Sequence, residues 1–424
     1  MSRVSRRDLF RGVVPAAVGV LGLPSLAHAV QASSSPYRRP TLKITDVRTA
    51  EVQAHGYQLH VRIHTDQGLV GHGEGTDAVR GGVPLVRQFA QFLVGQDPLN
   101  VDFLFERIRT AGIFAGAQAG QYVAALSAIE IALWDLAGKA LGLPVYQLLG
   151  GKMRDRIRIY CDSQTEDPDD PQAAAKLQQI RDMGFTAVKI DIDEAADPMR
   201  WDRMNWTASN AEIDHMMRKI AFVRQAFDKR VDLAVDMHGR YDMTTGKRVA
   251  KEAEPFKLLF LEEPVPAENV NAMRDIREST STPICCGENL FLRHGFREVL
   301  EKRAADIIMP DLQKCGGLLE GRKIADMAHT HYVPVAPHCV VSPIGTMASC
   351  HMCAAVPNFL VLEWHWIQRL ELWRSFVREG EIIEKGFVTL TDRPGLGVEM
   401  DEVAARKAQV PNTPWFEAAG GTRQ

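Results

Sequence analysis

Six acidic or imidazole side chains recur along the chain at an even pitch, each just after a short apolar run. VDLAVD ends on Asp236, FLE on Glu262 and ICCGE on Glu288; Asp311 follows IIMP, His338 follows VPVAP and Glu363 follows FLVL. Their successive spacings are 26, 26, 23, 27 and 25 residues. The three carboxylates Asp236, Glu262 and Glu288 form an all-oxygen donor set. Such a set suits Mg²⁺, which demands near-octahedral geometry and keeps positions open for water or substrate oxygens. One acid after a strand is usually a solvated loop residue; three in register point to a metal centre. His238 lies two residues beyond Asp236, so the strand pleat puts both on the same side.

A pitch of this length is one strand plus one helix. Repeated βα units build a parallel sheet that closes into a barrel, with its functional groups at the C-terminal ends of the strands. The six groups should therefore converge on one mouth. The barrel is read over residues 153–370, with Ile157–Cys161 as its first strand and Ala187–Ile190 as its second, carrying Lys189 and then Asp191. From Lys189 to Asp236 is 47 residues, nearly twice the usual step. The excess, 197–206, holds Trp201 and Trp206 with two arginines. It is either a substrate lid or a loop whose aromatics only pack onto a neighbour.

Ahead of the barrel, Leu42–Val52, Leu59–His64 and Leu69–Glu74 alternate as strands of an antiparallel meander. Helical spacing follows over Gly82–Leu93, Val101–Thr110 and Tyr122–Leu141, with a glycine-rich loop around Phe114 between the last two. This predicts an α+β capping domain over residues 30–152. Residues 371–424, including an edge strand near Val388–Leu390, are expected to return to it.

With 424 residues, 46% of them hydrophobic, the chain can bury a large core, and a formal net charge of −3 gives no electrostatic case for nucleic acid. The N-terminus is a separate matter. Ser5-Arg6-Arg7-Asp8-Leu9-Phe10, the apolar run Val13–Leu23 and Ala27-His28-Ala29 read as a twin-arginine signal over residues 1–29, cleaved after Ala29. The apolar run is too short for a stable membrane span, so the expectation is delivery to the periplasm by the Tat export machinery. Seven cysteines lie mostly in or beside predicted strands and lack zinc spacing, which favours buried free thiols.

Taken together, SAIEIALWDLAGKALGLPVYQLLGG, VKID, VDMHGR, FLEEP, CGEN, MPDLQKCGG and APH resemble the enolase superfamily over nearly all of the chain after the leader. The resemblance implies a (β/α)7β barrel capped by both termini, Mg²⁺ on Asp236, Glu262 and Glu288, and removal of a proton α to a carboxylate to give an enediolate. Asp311 and His338 match the mandelate racemase-like subgroup, with His338 as general base and Asp311 orienting its ring. At the second strand the racemase has a catalytic lysine where this chain has Asp191, which removes one partner of a two-base racemisation. Asp191 is expected to stay ionised and bind a substrate hydroxyl or a cation.

VDMHGR resembles the galactonate dehydratase-like branch, in which His238 would protonate the departing 3-hydroxyl; the bland alternative is a histidine that holds a ligand. Lys189 would approach the substrate carboxylate, or serve only in a structural ion pair. Glu363 would face that carboxylate, useful as a hydrogen-bond donor if its pKa is raised. Phe114, Trp201, Trp206 and Trp364 are expected to shape substrate recognition. The whole implies an acid-sugar dehydratase acting on a small carboxylate and assembled as a homo-oligomer. A 2-hydroxy-acid racemase or epimerase, or an inactive periplasmic binding protein, are the competing readings.

Overall fold

The computed structural model describes residues 39–76, 80–163, 167–193, 199–202, 204–227, 229–365 and 370–418. The twin-arginine leader lies outside them. No helix among the described residues is long and apolar enough to cross a membrane.

The chain opens with an antiparallel meander of β1 (Ile44–Val52), β2 (Gln58–Thr65) and β3 (Val70–Thr76). Helices α1 (Gly82–Leu93), α2 (Val101–Ala111) and α3 (Gly120–Leu141) follow, and Gly142 ends α3 in the left-handed region at φ 69°. Strand β3 reads VGHGEGT, with glycine at alternate positions. A Cβ on Gly71 or Gly73 would stand 2.1 Å from a carbonyl oxygen of α3. The bare row therefore lets the helix lie directly on the sheet, while His72 and Glu74 take the opposite face.

The short α4 (Val145–Leu148) leads into the barrel. Its alternating elements are β4 (Arg156–Ser163), α5 (Ala173–Asp182), β5 (Ala187–Asp191), α6 (Asn210–Ala226), β6 (Asp232–Asp236), α7 (Met243–Glu252), β7 (Phe260–Glu262) and α8 (Val270–Arg277). They continue with β8 (Ile284–Cys286), α9 (Leu292–Glu301), β9 (Ile307–Ile308), α10 (Leu318–Thr330), α11 (Pro343–Ala355) and β10 (Leu362–His365). Parallel pairing runs from β4 to β9, passes through a single-residue bridge at Val335 between α10 and α11, and closes where β10 pairs with β4. This is the expected (β/α)7β barrel.

Period-two geometry explains the mouth. Tyr160, Ala187, Ala234, Phe260, Ile307, Ala336 and Val361 share one apolar cluster filling the barrel. Two residues further along the same strands come Asp162, Lys189, Asp236, Glu262, Met309, His338 and Glu363. Except at Met309, which stays within the apolar cluster, the same inward row thus changes from apolar to ionisable as these strands reach their C-terminal ends.

After β10 come α12 (Leu370–Ser375) and the hairpin β11 (Ile383–Glu384) and β12 (Phe387–Thr389). β12 pairs antiparallel with the first half of β4, so this segment extends the barrel sheet before the chain turns back. Past α13 (Glu402–Arg406), Gln409 and Trp415 bridge to Val52 and Ala50 of the meander. All seven cysteines are buried and free.

Candidate active site

Lys189 is the hub. Its Nζ lies 3.0 Å from Asp236 Oδ2, 2.8 Å from Glu262 Oε2, 2.9 Å from Glu363 Oε1 and 3.3 Å from Asp162 Oδ2. Burial disfavours the ammonium, but the surrounding carboxylates outweigh it and hold its pKa well above the ordinary lysine value. An ammonium shared by so many carboxylates is committed to them, which fits an electrostatic role rather than that of a base.

Two histidine–aspartate dyads flank this hub. His338 Nδ1 lies 2.9 Å from Asp311 Oδ2, and its Nε2 lies 3.0 Å from Glu288 and 3.5 Å from Glu363. The other oxygen of Asp311 accepts from the Gln313 N–H at 2.9 Å, which fixes the carboxylate. Burial alone would lower the His338 pKa; Glu363 and Glu288, with the Asp311 bond, raise it well above that of free histidine. In the second dyad, His238 Nδ1 lies 2.9 Å from Asp193 Oδ1, and Arg240 pairs with Asp193 at 3.0 Å. Against its burial, the Asp193 bond and the charges of Asp236, Asp193 and Asp191 push the His238 pKa up to about 10. His238 follows the third barrel strand and His338 the seventh, so they face each other across the mouth.

Backbone strain collects at the same level. His238 has φ 46° and Glu263 φ 33°, each one or two residues beyond an expected metal ligand. Non-glycine residues hold this left-handed region only where the surroundings enforce it. The His238 N–H donates to Asp236 Oδ1 at 2.7 Å, and the Glu263 side chain accepts from Gly287 and Asn289.

The donor set fits a hard cation. Glu262 Oε1 is buried with no hydrogen-bond partner, and burial followed by repulsion from Asp236 holds the Glu262 carboxyl well above its usual range, with Glu288 adding to it. Such a carboxylate, with one oxygen on Lys189 and the other without a partner, can accept a further positive charge. Glu288 faces His338. Near the mouth, the residues whose ligand-type atoms come within 4.8 Å of one another are Asp191, Asp236 and His238, and Asp162, Asp191 and His365.

Burial, then the charge of Asp236, raises the Asp191 pKa to about 7. Glu363 is not shifted toward a donor; Lys189 and His338 overcome its burial and hold its pKa below the carboxylate range. Trp364 shapes no substrate wall. Alternation sends Glu363 and His365 inward and Trp364 outward, where it is 2% exposed and stacks on Phe185 at 5.5 Å between centroids. Phe114 is fully exposed at the turn after α2, and Trp201 and Trp206 are also solvent-facing, so none of the three packs into the mouth.

Asp162, Asp193 and His55 were not singled out from sequence, yet the structure brings them, with His365, to this region. Asp162 and Asp193 extend inward rows, two residues beyond Tyr160 and Asp191, so continuing the period would have found them. His55 comes from the β1–β2 turn, whose direction no local pattern encodes.

Comparison with known proteins agrees with this architecture. The model of the mandelate racemase / muconate lactonizing enzyme N-terminal domain matches residues 37–150, and that of the enolase C-terminal domain-like family matches residues 172–404. The chain belongs to the mandelate racemase/muconate lactonizing enzyme family. Among its relatives in this family is a D-xylonate dehydratase of Haloferax volcanii, 42% identical over 379 residues, covering 88% of this chain and 91% of the relative. A D-galactonate dehydratase of Variovorax paradoxus is 34% identical over 369 residues, covering 85% and 93%. The crystal structure of a mandelate racemase/muconate lactonizing enzyme-like protein from Rubrobacter xylanophilus superposes with a TM-score of 0.85 at 42% identity, covering 90% of this chain and 100% of that one.

Proposed function

We propose that the protein is a Mg²⁺-dependent sugar-acid dehydratase, which removes the proton α to the carboxylate and eliminates the 3-hydroxyl to give a 2-keto-3-deoxy acid. The observation that carries this reading is the pair of histidine–aspartate dyads facing each other across one carboxylate-lined mouth. The xylonate and galactonate dehydratase relatives support the same class of substrate. Asp236, Glu262 and Glu288 would hold the metal, which when bound supplies Lewis-acid stabilisation of negative charge on the substrate carboxylate.

Each dyad frees one nitrogen for chemistry. Because Nδ1 of His338 is engaged by Asp311, Nε2 is the atom that meets C2–H, and its proton is released once Glu288 and Glu363 are compensated by charge other than the imidazolium. Nδ1 of His238 is likewise engaged by Asp193, leaving Nε2 to donate to the 3-hydroxyl as the C3–O bond breaks. Hydroxide is a poor leaving group, and a held imidazolium is a suitable acid for it. Lys189, beneath both, places a fixed positive charge near the substrate carboxylate. The enol left behind takes a proton at C3 and becomes the ketone.

Replacing His338 with asparagine should abolish exchange of the C2 proton with solvent deuterium. Persistent exchange would remove the base assignment. The same opposed dyads allow a second reading, in which His238 returns a proton to the other face of C2 and the enzyme is an epimerase; C2 inversion with the 3-hydroxyl retained would establish it. The twin-arginine leader supports periplasmic action after Tat export, and fractionation of cells producing the full chain tests this. We also propose a homo-oligomer, which sedimentation tests.

A further inference from the structure

A second group of polar side chains at the mouth belongs to neither dyad. Asp162 lies on the inward row of β4, Asp191 ends β5 and His365 ends β10, with ligand-type atoms within 4.8 Å of one another. His365 and Asp162 are direct partners in the parallel β10–β4 ladder, and His365 Nε2 is 3.8 Å from Asp162 Oδ2. Asp162 is 2% exposed; its Oδ2 also leans on Lys189, but its Oδ1 is out of solvent with no hydrogen-bond partner. Asp191 Oδ1 is in the same state. Two buried carboxylate oxygens with nothing to accept from mark a place where donors are missing.

The cap completes the group. His55, in the β1–β2 turn, places its ring 4.5 Å from that of His365. Burial, followed by the charge of His365, lowers the His55 pKa to about 4, so it is a neutral ring with one donor and one acceptor. Burial and then Asp191 raise the Asp162 pKa to about 7, so near neutrality this carboxyl offers donor as well as acceptor character.

Imidazole rings beside buried carboxyl oxygens that lack hydrogen-bond partners match hydroxyls, each of which donates one hydrogen bond and accepts others. They do not match a carboxylate, which would face two acids while the nearby ammonium of Lys189 is already shared. We propose that Asp162, Asp191, His365 and His55 form the subsite that reads the hydroxyls beyond C3 of the substrate and rejects a second carboxylate, so that the enzyme takes sugar monoacids rather than diacids. This rests on the dehydratase reading and adds the chain length and end group of the substrate to it.

The test uses the full mature, metal-loaded enzyme with a six-carbon aldonate, the corresponding diacid and three-carbon glycerate, which keeps C2–H and the 3-hydroxyl but has nothing beyond. In Asp162→Asn and, separately, His55→Ala, the ratio of kcat/KM for the six-carbon acid over glycerate should fall by about tenfold, mostly through KM, as expected for the loss of one or two buried hydrogen bonds. Asp162→Asn should also narrow the preference for monoacid over diacid. His55 lies in a turn, so its variant keeps the test open if Asp162→Asn fails to fold. Unchanged ratios in variants of an enzyme that does dehydrate aldonates would overturn the subsite alone. A wild type that prefers the diacid, or the loss of one of two bound metal ions in Asp162→Asn, would overturn it in favour of anion or cation binding. A wild type that dehydrates no acid would bring down the dehydratase reading and the subsite with it.

Discussion

Glu74 shows how the capping domain could control the barrel's chemistry, and Glu74→Gln is the perturbation that exposes it. The side chain is fully buried on β3 and reaches the start of α11, just past His338. Oε1 accepts from the Ser342 N–H at 2.8 Å, while Oε2 accepts from the Ser342 hydroxyl and from the Gly345 N–H at 2.8 Å. One residue pair away, the Thr76 N–H donates to the Gln313 carbonyl at 3.2 Å, and the Gln313 amide in turn donates to the Gly345 carbonyl at 3.0 Å. The end of β3 thus grips both the Asp311 loop and the His338 loop. A glutamine has one acceptor oxygen, so at least one backbone N–H loses its partner, at a cost of about 1–3 kcal/mol.

The pH dependence has a definite sign. Burial raises the Glu74 pKa from 4.5 to about 7, so between those values the folded state binds more protons than the unfolded one. Stability from this group is full below pH 4.5 and is lost as pH rises through about 7. The total loss is roughly 3 kcal/mol, at about 1.4 kcal/mol per pKa unit. Glutamine does not titrate. The penalty of Glu74→Gln, measured by urea denaturation, should therefore be larger at pH 5.5 than at pH 8.5, and kcat should fall because both dyad loops loosen. A penalty that grows with pH would refute the reasoning.

Other perturbations follow from the same geometry. Asp193→Asn removes the carboxylate that orients His238 and holds its proton; product formation should fall by about 10²-fold or more while C2 exchange continues, as deuterium incorporation would show. Chelation by EDTA should abolish turnover and added Mg²⁺ restore it, and Glu262→Gln should weaken the metal response, measured by titration of activity against Mg²⁺. Gly73→Ala drives a Cβ to 2.1 Å from the Ala128 carbonyl oxygen and should cost about 3 kcal/mol or more, or prevent folding, as read by thermal melting.

The barrel and its mouth were readable because strand periodicity is local. Each of Asp236, Glu262, Glu288, Asp311, His338 and Glu363 announces itself by the apolar run before it, and closure of the barrel then brings distant residues together without further information. The same rule, carried two residues further, would have added Asp162 and Asp193, and would have turned Trp364 away. What local pattern could not supply is long-range: the β1–β2 turn carries His55 to His365, and Glu74 reaches Ser342, 268 positions further along the chain. Nor could residue type reveal the net of charges that keeps Glu363 ionised while Asp191 titrates near neutrality; those shifts come from burial and from neighbours on other strands. The aromatics Phe114, Trp201 and Trp206 attracted attention by their place in loops beside the expected mouth, and that place does not say which way a loop side chain faces.

The most direct test of the central claim is proton NMR in D₂O of the Mg²⁺-loaded enzyme with a sugar monoacid, comparing the wild type with His238→Asn. The account predicts that the wild type forms the 2-keto-3-deoxy acid with deuterium at C3, while His238→Asn exchanges the C2 proton and retains the 3-hydroxyl. Product formation by His238→Asn at the wild-type rate, or a wild type that only inverts C2, would contradict it.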